Sequence, residues 1–245
     1  MENTEEGRVS TEEGRVSTGE VLTEEVLTEE VSTKDDSTKE VSTGNGKTEE
    51  VLTNDKKAGK GVLRYVDGDV YEGDFVDDKK FGKGVLRYAN GDVYEGDFVD
   101  DKKSGNGIMI YADGSKYEGE FDNDDMEGKG TYTFSTGSVY VGDFQKGIMS
   151  GEGHYECCNG NIYDGMWVDN RRSGKGINKY VDGSVYKGMW FNDMKSGEGI
   201  VYNQNGDFVY KGLWLNDMKS GKGTMYNQNG DVVYEGTWFN GEICE

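Results

Sequence analysis

The sequence predicts an all-β protein: an elongated, twisted antiparallel meander of β-hairpins, preceded by a low-complexity segment. Three observations predict it. First, a phrase of aromatic, any residue, glycine, any residue, aromatic recurs eight times. Second, its leading tyrosines, Tyr71, Tyr94, Tyr117, Tyr140, Tyr163, Tyr186, Tyr210 and Tyr234, are 23 residues apart and, over the last two intervals, 24. A fixed period of this size marks one supersecondary unit that stacks on copies of itself. Third, the chain holds 39 glycines and no proline. That composition suits a sheet with many tight turns, glycine taking the positive-φ positions.

Residues 1–55 come first. They open on two copies of Thr-Glu-Glu-Gly-Arg-Val-Ser (4–10 and 11–17) and continue with threonine at every fifth position from 18 to 53. A period of five fits neither a strand nor a helical face. The segment has no aromatic residue and carries 5 basic against 16 acidic side chains. It therefore reads as a disordered acidic tail, unable to bury enough apolar surface to offset the entropy of ordering.

Residues 56–245 form the array. In its first complete unit, alternation puts Tyr71, Gly73 and Phe75 on one face of a strand, with Glu72 and Asp74 on the other. A polar loop, Asp77-Asp78-Lys79-Lys80, leads to a second strand whose Gly82, Gly84, Leu86 and Tyr88 share a face. Asn90-Gly91 then gives a tight-turn signal, repeated at Asp67-Gly68, Asp113-Gly114, Asp182-Gly183, Asn205-Gly206 and Asn229-Gly230. The glycines facing the rings leave room for aromatics to lie across them. About sixteen strands at ~4.8 Å spacing give a rod roughly 75 Å long. The extra residue in the units ending at Gly206 and Gly230 predicts a bulge.

Composition excludes several functions. The net charge is −21, with 22 basic and 32 acidic groups in residues 56–245, so the array lacks the basic footprint of a nucleic-acid binder. No run of 18 apolar residues suggests a membrane span, and the N-terminus has no secretory pattern. Three cysteines, two of them adjacent, do not make a disulfide framework. The expected compartment is the cytoplasm.

The unit Tyr-Glu-Gly-Asp-Phe…Gly-Lys-Gly-Val-Leu-Arg-Tyr-Ala-Asn-Gly-Asp closely resembles the MORN (membrane occupation and recognition nexus) repeat, over residues 58–240. Departures from the pattern include Asn178 at a leucine position and Asn203 and Asn227 at tyrosine positions. MORN arrays occur in plant phosphatidylinositol-phosphate kinases, junctophilins, a histone lysine methyltransferase and parasite cytoskeletal scaffolds. The resemblance implies self-association as a homodimer or larger assembly, scaffolding of protein partners and attachment to a membrane periphery or the cytoskeleton. An accessory role to a phosphoinositide kinase is a further alternative.

Two candidate surfaces follow. Paired basic residues, Lys56-Lys57, Lys79-Lys80, Lys102-Lys103 and Arg171-Arg172, recur at one loop position and would form a ladder able to hold an anionic phosphoinositide headgroup. The aromatic pairs Tyr71/Phe75, Tyr94/Phe98, Tyr117/Phe121, Tyr140/Phe144, Tyr163/Trp167, Tyr186/Trp190, Tyr210/Trp214 and Tyr234/Trp238 form a ridge, either structural or an interface if one sheet face is uncovered. His154, Cys157 and Cys158 cluster in one arm, but adjacent cysteines chelate zinc poorly, so no metal is expected. No turn matches a calcium loop. A single histidine, no nucleophile elbow and no phosphate loop point away from catalysis and from any cofactor. Carboxylates that recur in every unit are structural, because a catalytic site is singular.

Overall fold

The computed structural model describes residues 57–244. The expectations for the segment 1–55 and for Lys56 lie outside the described residues. Every element described is a strand. The first half holds β1 (Gly59–Arg64), β2 (Val70–Val76), β3 (Lys79–Arg87), β4 (Val93–Val99), β5 (Lys102–Ile110), β6 (Lys116–Asp122), β7 (Asp125–Thr133), β8 (Val139–Gln145) and β9 (Ile148–Glu156). The second half holds β10 (Ile162–Val168), β11 (Arg171–Lys179), β12 (Val185–Phe191), β13 (Met194–Tyr202), β14 (Phe208–Leu215), β15 (Met218–Tyr226), β16 (Val232–Phe239) and the short β17 (Glu242–Ile243). Each strand pairs antiparallel with the next, making one open 17-stranded sheet. The hairpin meander read from the repeats is the fold. No helix among the described residues is long and apolar enough to cross a membrane.

The chain turns at both expected places, but one loop is shorter than expected. The turn between β2 and β3 is Asp77-Asp78 alone: both aspartates take positive φ (52° and 68°), and Lys79 and Lys80 already pair with Val76 and Phe75. Asp and Asn tolerate this left-handed region, and a turn with two such residues matches the twist of the flanking strands. The expected polar loop Asp77–Lys80 is therefore half turn, half strand. At Asn90-Gly91 the connection is longer. The Tyr88 and Gly91 amides donate to Asp92 O (2.9 Å) and Tyr88 O (3.0 Å), and Gly91 sits at φ 96°.

Gly82 also departs from the ring-bearing register. Gly73 pairs with Gly84, and Phe75 pairs with Lys80, so three residues of β3 oppose one of β2. Gly82 lies in that bulge, beside the Asp74 side chain, not under a ring. The extra residues of the two long units do form the bulges they predict, at Val201/Tyr202 and Met225/Tyr226.

Side chains staple each repeat to the one before. The Asp101 carboxylate accepts the Lys80 amide at 2.9 Å, while the Asp101 amide donates to Lys80 O at 3.1 Å. The same exchange joins Asp78 to Lys57, Asp124 to Lys103 and Asp193 to Arg172. At the other rim, Asp69 accepts the Ala89 amide and Asp92 the Ala112 amide, both at 2.8 Å. These bonds, worth about 1 kcal/mol each, explain why the acids recur once per repeat.

The core is the aromatic ladder. Tyr71, Tyr94, Tyr117, Tyr140, Tyr186 and Tyr210 are wholly buried, and Tyr163 nearly so. The Tyr94 ring meets Phe98 of its own strand at 5.1 Å and Phe121 of the next repeat at 4.9 Å, both edge to face. That geometry adds ~0.5–1.5 kcal/mol per pair beyond area burial. Each ladder hydroxyl is satisfied locally, as where Tyr94 Oη donates to Asp97 O at 3.0 Å. The rings lie flat over paired glycines: a Cβ on Gly119 would stand 2.5 Å from Tyr117 Oη and 2.6 Å from Gly130 Cα.

Candidate binding surfaces

One sheet face carries the ridge. Its phenylalanines and tryptophans, Phe75, Phe98, Phe121, Phe144, Trp167, Trp190, Trp214 and Trp238, are all buried; of the sixteen ridge rings only Tyr234, on β16 near the end of the sheet, is partly open. The ridge is thus closed by the chain itself. Neighbouring rings cover one another, so this face does not present the large uncovered patch that an interface on the ridge would need.

The basic ladder is divided by strand alternation. Because Lys79 and Lys80 lie within β3, they point to opposite faces. Lys80 Nζ stands over the rings of Tyr65, Tyr71 and Phe98 at 5.6–5.8 Å. Lys103 does the same over Tyr88, Tyr94 and Phe121. Lys195 and Lys219 repeat the arrangement over Trp214 and Trp238, at 5.0 and 4.4 Å. Burial lowers the Lys80, Lys103 and Lys219 ammonium pKa values, partly offset at Lys80 and Lys103 by nearby aspartates. These lysines seal the ladder with their alkyl stems and hold their charge over the ring faces. Lys57 stands 5.9 Å from the Phe75 ring. The other members are at the surface: Lys79 pairs with Asp100 at 3.0 Å, Lys102 Nζ donates to Asn123 Oδ1 at 3.2 Å, and Arg171 is exposed.

Arg172 departs from the lysine pattern, and Asn178 explains it. The guanidinium lies 4.3 Å from the Trp190 ring centre, donates to Asp193 Oδ1 and O, and reaches Asn178 Oδ1 at 3.3 Å. Asn178, 3 % exposed, stands where other repeats place Leu63 or Leu86. The polar side chain is tolerated because arginine extends to it. The sequence showed each departure separately but not that the two touch.

The opposite face is polar in the first half. Lys60, Lys83 and Lys129 reach across to Asp74, Asp97 and Asp143 at 3.3, 2.8 and 2.6 Å. From β10 onward the acid positions become Met166, Met189, Leu213 and Thr237, and the end of each strand carries Val168, Phe191, Leu215 or Phe239, from 52 % to 67 % exposed. This exposed apolar row is the surface that the ridge does not provide. Sequence reading missed it by attending to what repeats; the signal was the position that stops repeating.

His154 sits at the boundary between these halves. Its Nδ1 is 2.6 Å from Asp164 and its Nε2 3.1 Å from Glu156. These carboxylates, Asp164 first, raise its pKa. Cys157 and Cys158 lie beyond the end of β9, in the loop. Among the described residues no three metal-ligating side chains converge.

The pattern of units matches one family, described as the MORN repeat, at residues 52–70, 71–93, 94–116, 117–139, 140–162, 163–185, 186–208, 210–232 and 234–244. Comparison with curated proteins gives no match. Among solved structures, the chain is similar to the TCP domain of Drosophila melanogaster SAS-4 in complex with a proline-rich motif of Ana2. The identity is 16 %, the TM-score 0.40, and the match covers 68 % of this chain and 90 % of that one. The wild-type TCP10 domain of Danio rerio CPAP matches at 12 % identity and TM-score 0.41, over 81 % and 100 %. At these scores the likeness carries no argument about function.

Proposed function

The chain belongs to the MORN repeat family, and from that premise we propose that it is a non-catalytic scaffold that binds protein partners along its sheet and self-associates through it. The observation that carries this reading is the row Val168, Phe191, Leu215 and Phe239. Four apolar side chains, each more than half exposed, recur at one-repeat intervals on the face opposite the buried ridge. Scattered exposed apolar residues need no explanation, but an ordered row of them marks an interface. Among the described residues β1 and β17 each pair with one strand, and such sheet edges give assembly a second route. The place of action is the cytoplasm, at the cytoskeleton or a membrane periphery.

Light scattering on the full chain tests this. The expected result is a dimer or larger species that falls to monomer mass in Phe191→Ser with Leu215→Ser. A monomer at all concentrations, or a mass untouched by the double substitution, overturns self-association through this row. The anionic-membrane reading retains Lys79, Lys102 and Arg171, the ladder members at the surface. Their charge reversal should abolish salt-sensitive co-sedimentation with phosphoinositide vesicles, if that reading holds.

A further inference from the structure

We infer that the second half of the polar face is a docking groove for an acidic, apolar-bearing extended peptide segment of a protein partner. This deepens the scaffold reading and rests on it.

The inference starts from a charge reversal within one repeated position. The residue after the ridge tyrosine is Glu72, Glu95 and Glu118 in early repeats, Val141 and Asp164 in the middle ones, Lys187 and Lys211 after them, and Glu235 in the last. A second change removes counter-ions. Lys83 pairs across the strands with Asp97 at 2.8 Å; at the matching places Lys175 faces Met189 and Lys222 faces Thr237. Among the described residues, Lys175, Lys187, Lys211 and Lys222 make no ion pair. In a protein of net charge −21, Lys175 and Lys222 lack the acids that neutralise Lys83 and its equivalents, and Lys187 and Lys211 stand where early repeats carry glutamate.

The lysines surround an apolar recess. A cavity of ≈ 1000 Å³ runs over the backbone of Gly199, Gly212 and Gly223, walled by Ile200, Leu213 and Tyr226 with Lys187, Lys211 and Lys222 at its sides. Glu198 and Glu235 also line it, so cations are in excess by one within it. Unpaired lysines above an apolar floor select a chain that brings carboxylates and aliphatic side chains together. The recess is lined by strand backbone and runs across the strands, which favours a narrow extended segment over a broad flat surface.

Spacing sets the pattern of the ligand. Lys187 on β12 and Lys211 on β14 are two strands apart, about 9.6 Å at the usual strand separation. A segment in the extended polyproline II conformation advances about 3.1 Å per residue with three residues per turn, so every third side chain lies on one side. Carboxylates at every third position therefore meet successive lysines.

The test is fluorescence anisotropy of the full-length protein with a labelled twelve-residue probe of four Glu-Val-Leu triplets. A Lys-Val-Leu probe, phosphatidylserine vesicles and light scattering run beside it. The acidic probe should bind saturably and the basic one should not. Lys187→Glu with Lys211→Glu should weaken binding tenfold or more. Those substitutions import residues that the chain itself uses at the matching sites, so the fold tolerates them; circular dichroism checks this. Glu72→Lys with Glu95→Lys, on the first half, should leave binding unchanged. No saturable binding, equal binding by the Lys187/Lys211 variant, or preference for vesicles overturns the inference. A dimer that the same variant dissociates, without probe binding, makes a second copy the occupant and overturns it too, while leaving the scaffold reading intact.

Discussion

Two alanine substitutions at successive glycines separate the two uses of glycine in this sheet. Gly114 lies in a loop at φ 86°, with nothing within 4 Å of the place a methyl group would take, so alanine there meets only the left-handed backbone penalty. That cost is about 1–2 kcal/mol. Gly119 has no such φ, yet its Cβ would stand 2.5 Å from Tyr117 Oη, 2.6 Å from Gly130 Cα and 2.6 Å from Lys129 O. Ordinary carbon contacts are roughly 3.5–4.0 Å, so about 1 Å must open on two sides at once. The Tyr117 ring cannot slide, being held between Phe121 at 5.1 Å and Phe144 at 4.9 Å. Expelling it approaches the ~3–5 kcal/mol lost when a large aromatic is removed from a core. Gly119→Ala should therefore exceed Gly114→Ala by about 2–3 kcal/mol. Urea denaturation followed by circular dichroism measures the difference. Amide exchange locates it, because stacked repeats open locally. Protection should fall in β6 and β7 first. Adding Tyr117→Ala to Gly119→Ala should cost less than the sum of the two, since both act on one ring. A Gly119→Ala protein as stable as Gly114→Ala would refute the close-packing account.

Strand alternation makes Lys103→Ala and Lys102→Ala unequal in thermal melts. The first strips a stem and a cation from three rings and should cost about 1–2 kcal/mol; the second should be within about 0.5 kcal/mol of the parent. Equal effects would restore the loop ladder. Arg172→Lys leaves the buried Asn178 amide oxygen without its donor and should cost about 1–3 kcal/mol, whereas adding Asn178→Leu should recover most of it; simple additivity would show that the two are not coupled. His154 should titrate by NMR above the usual value of about 6.5, and Asp164→Asn should lower it. Because the folded pKa is raised, the stabilisation is complete below the unfolded value and fades as pH rises through the folded one. An unshifted His154 would remove the carboxylate contacts from the argument.

The ridge, the hairpin order and the bulges at the long units were legible because they depend on period and alternation. Tyr71, Gly73 and Phe75 must share a face in any strand, and a 23-residue repeat leaves few ways to place them. The turn at Asn90-Gly91 was legible, but the loop Asp77–Lys80 was drawn two residues too long, because only the pairing of Lys79 with Val76 shows that Asp77-Asp78 alone make the turn. Shortening that loop by two residues carries Lys80 from solvent onto the aromatic face. The binding surfaces were less legible still. The expectation of no catalytic site came from what the sequence contains once, but the lack of an acid beside Lys175 and Lys222 depends on cross-strand partners 14 and 15 residues away, Met189 and Thr237.

The sequence by itself determined the fold, the number of repeats and the residues that face one another along a strand, because local alternation and a fixed period leave no other compact burial for the rings. The tertiary structure decided which face is open. Ring covers ring between successive repeats, closing the ridge, and only the register across strands shows where an acid that would neutralise a lysine has been replaced by methionine, leucine or threonine.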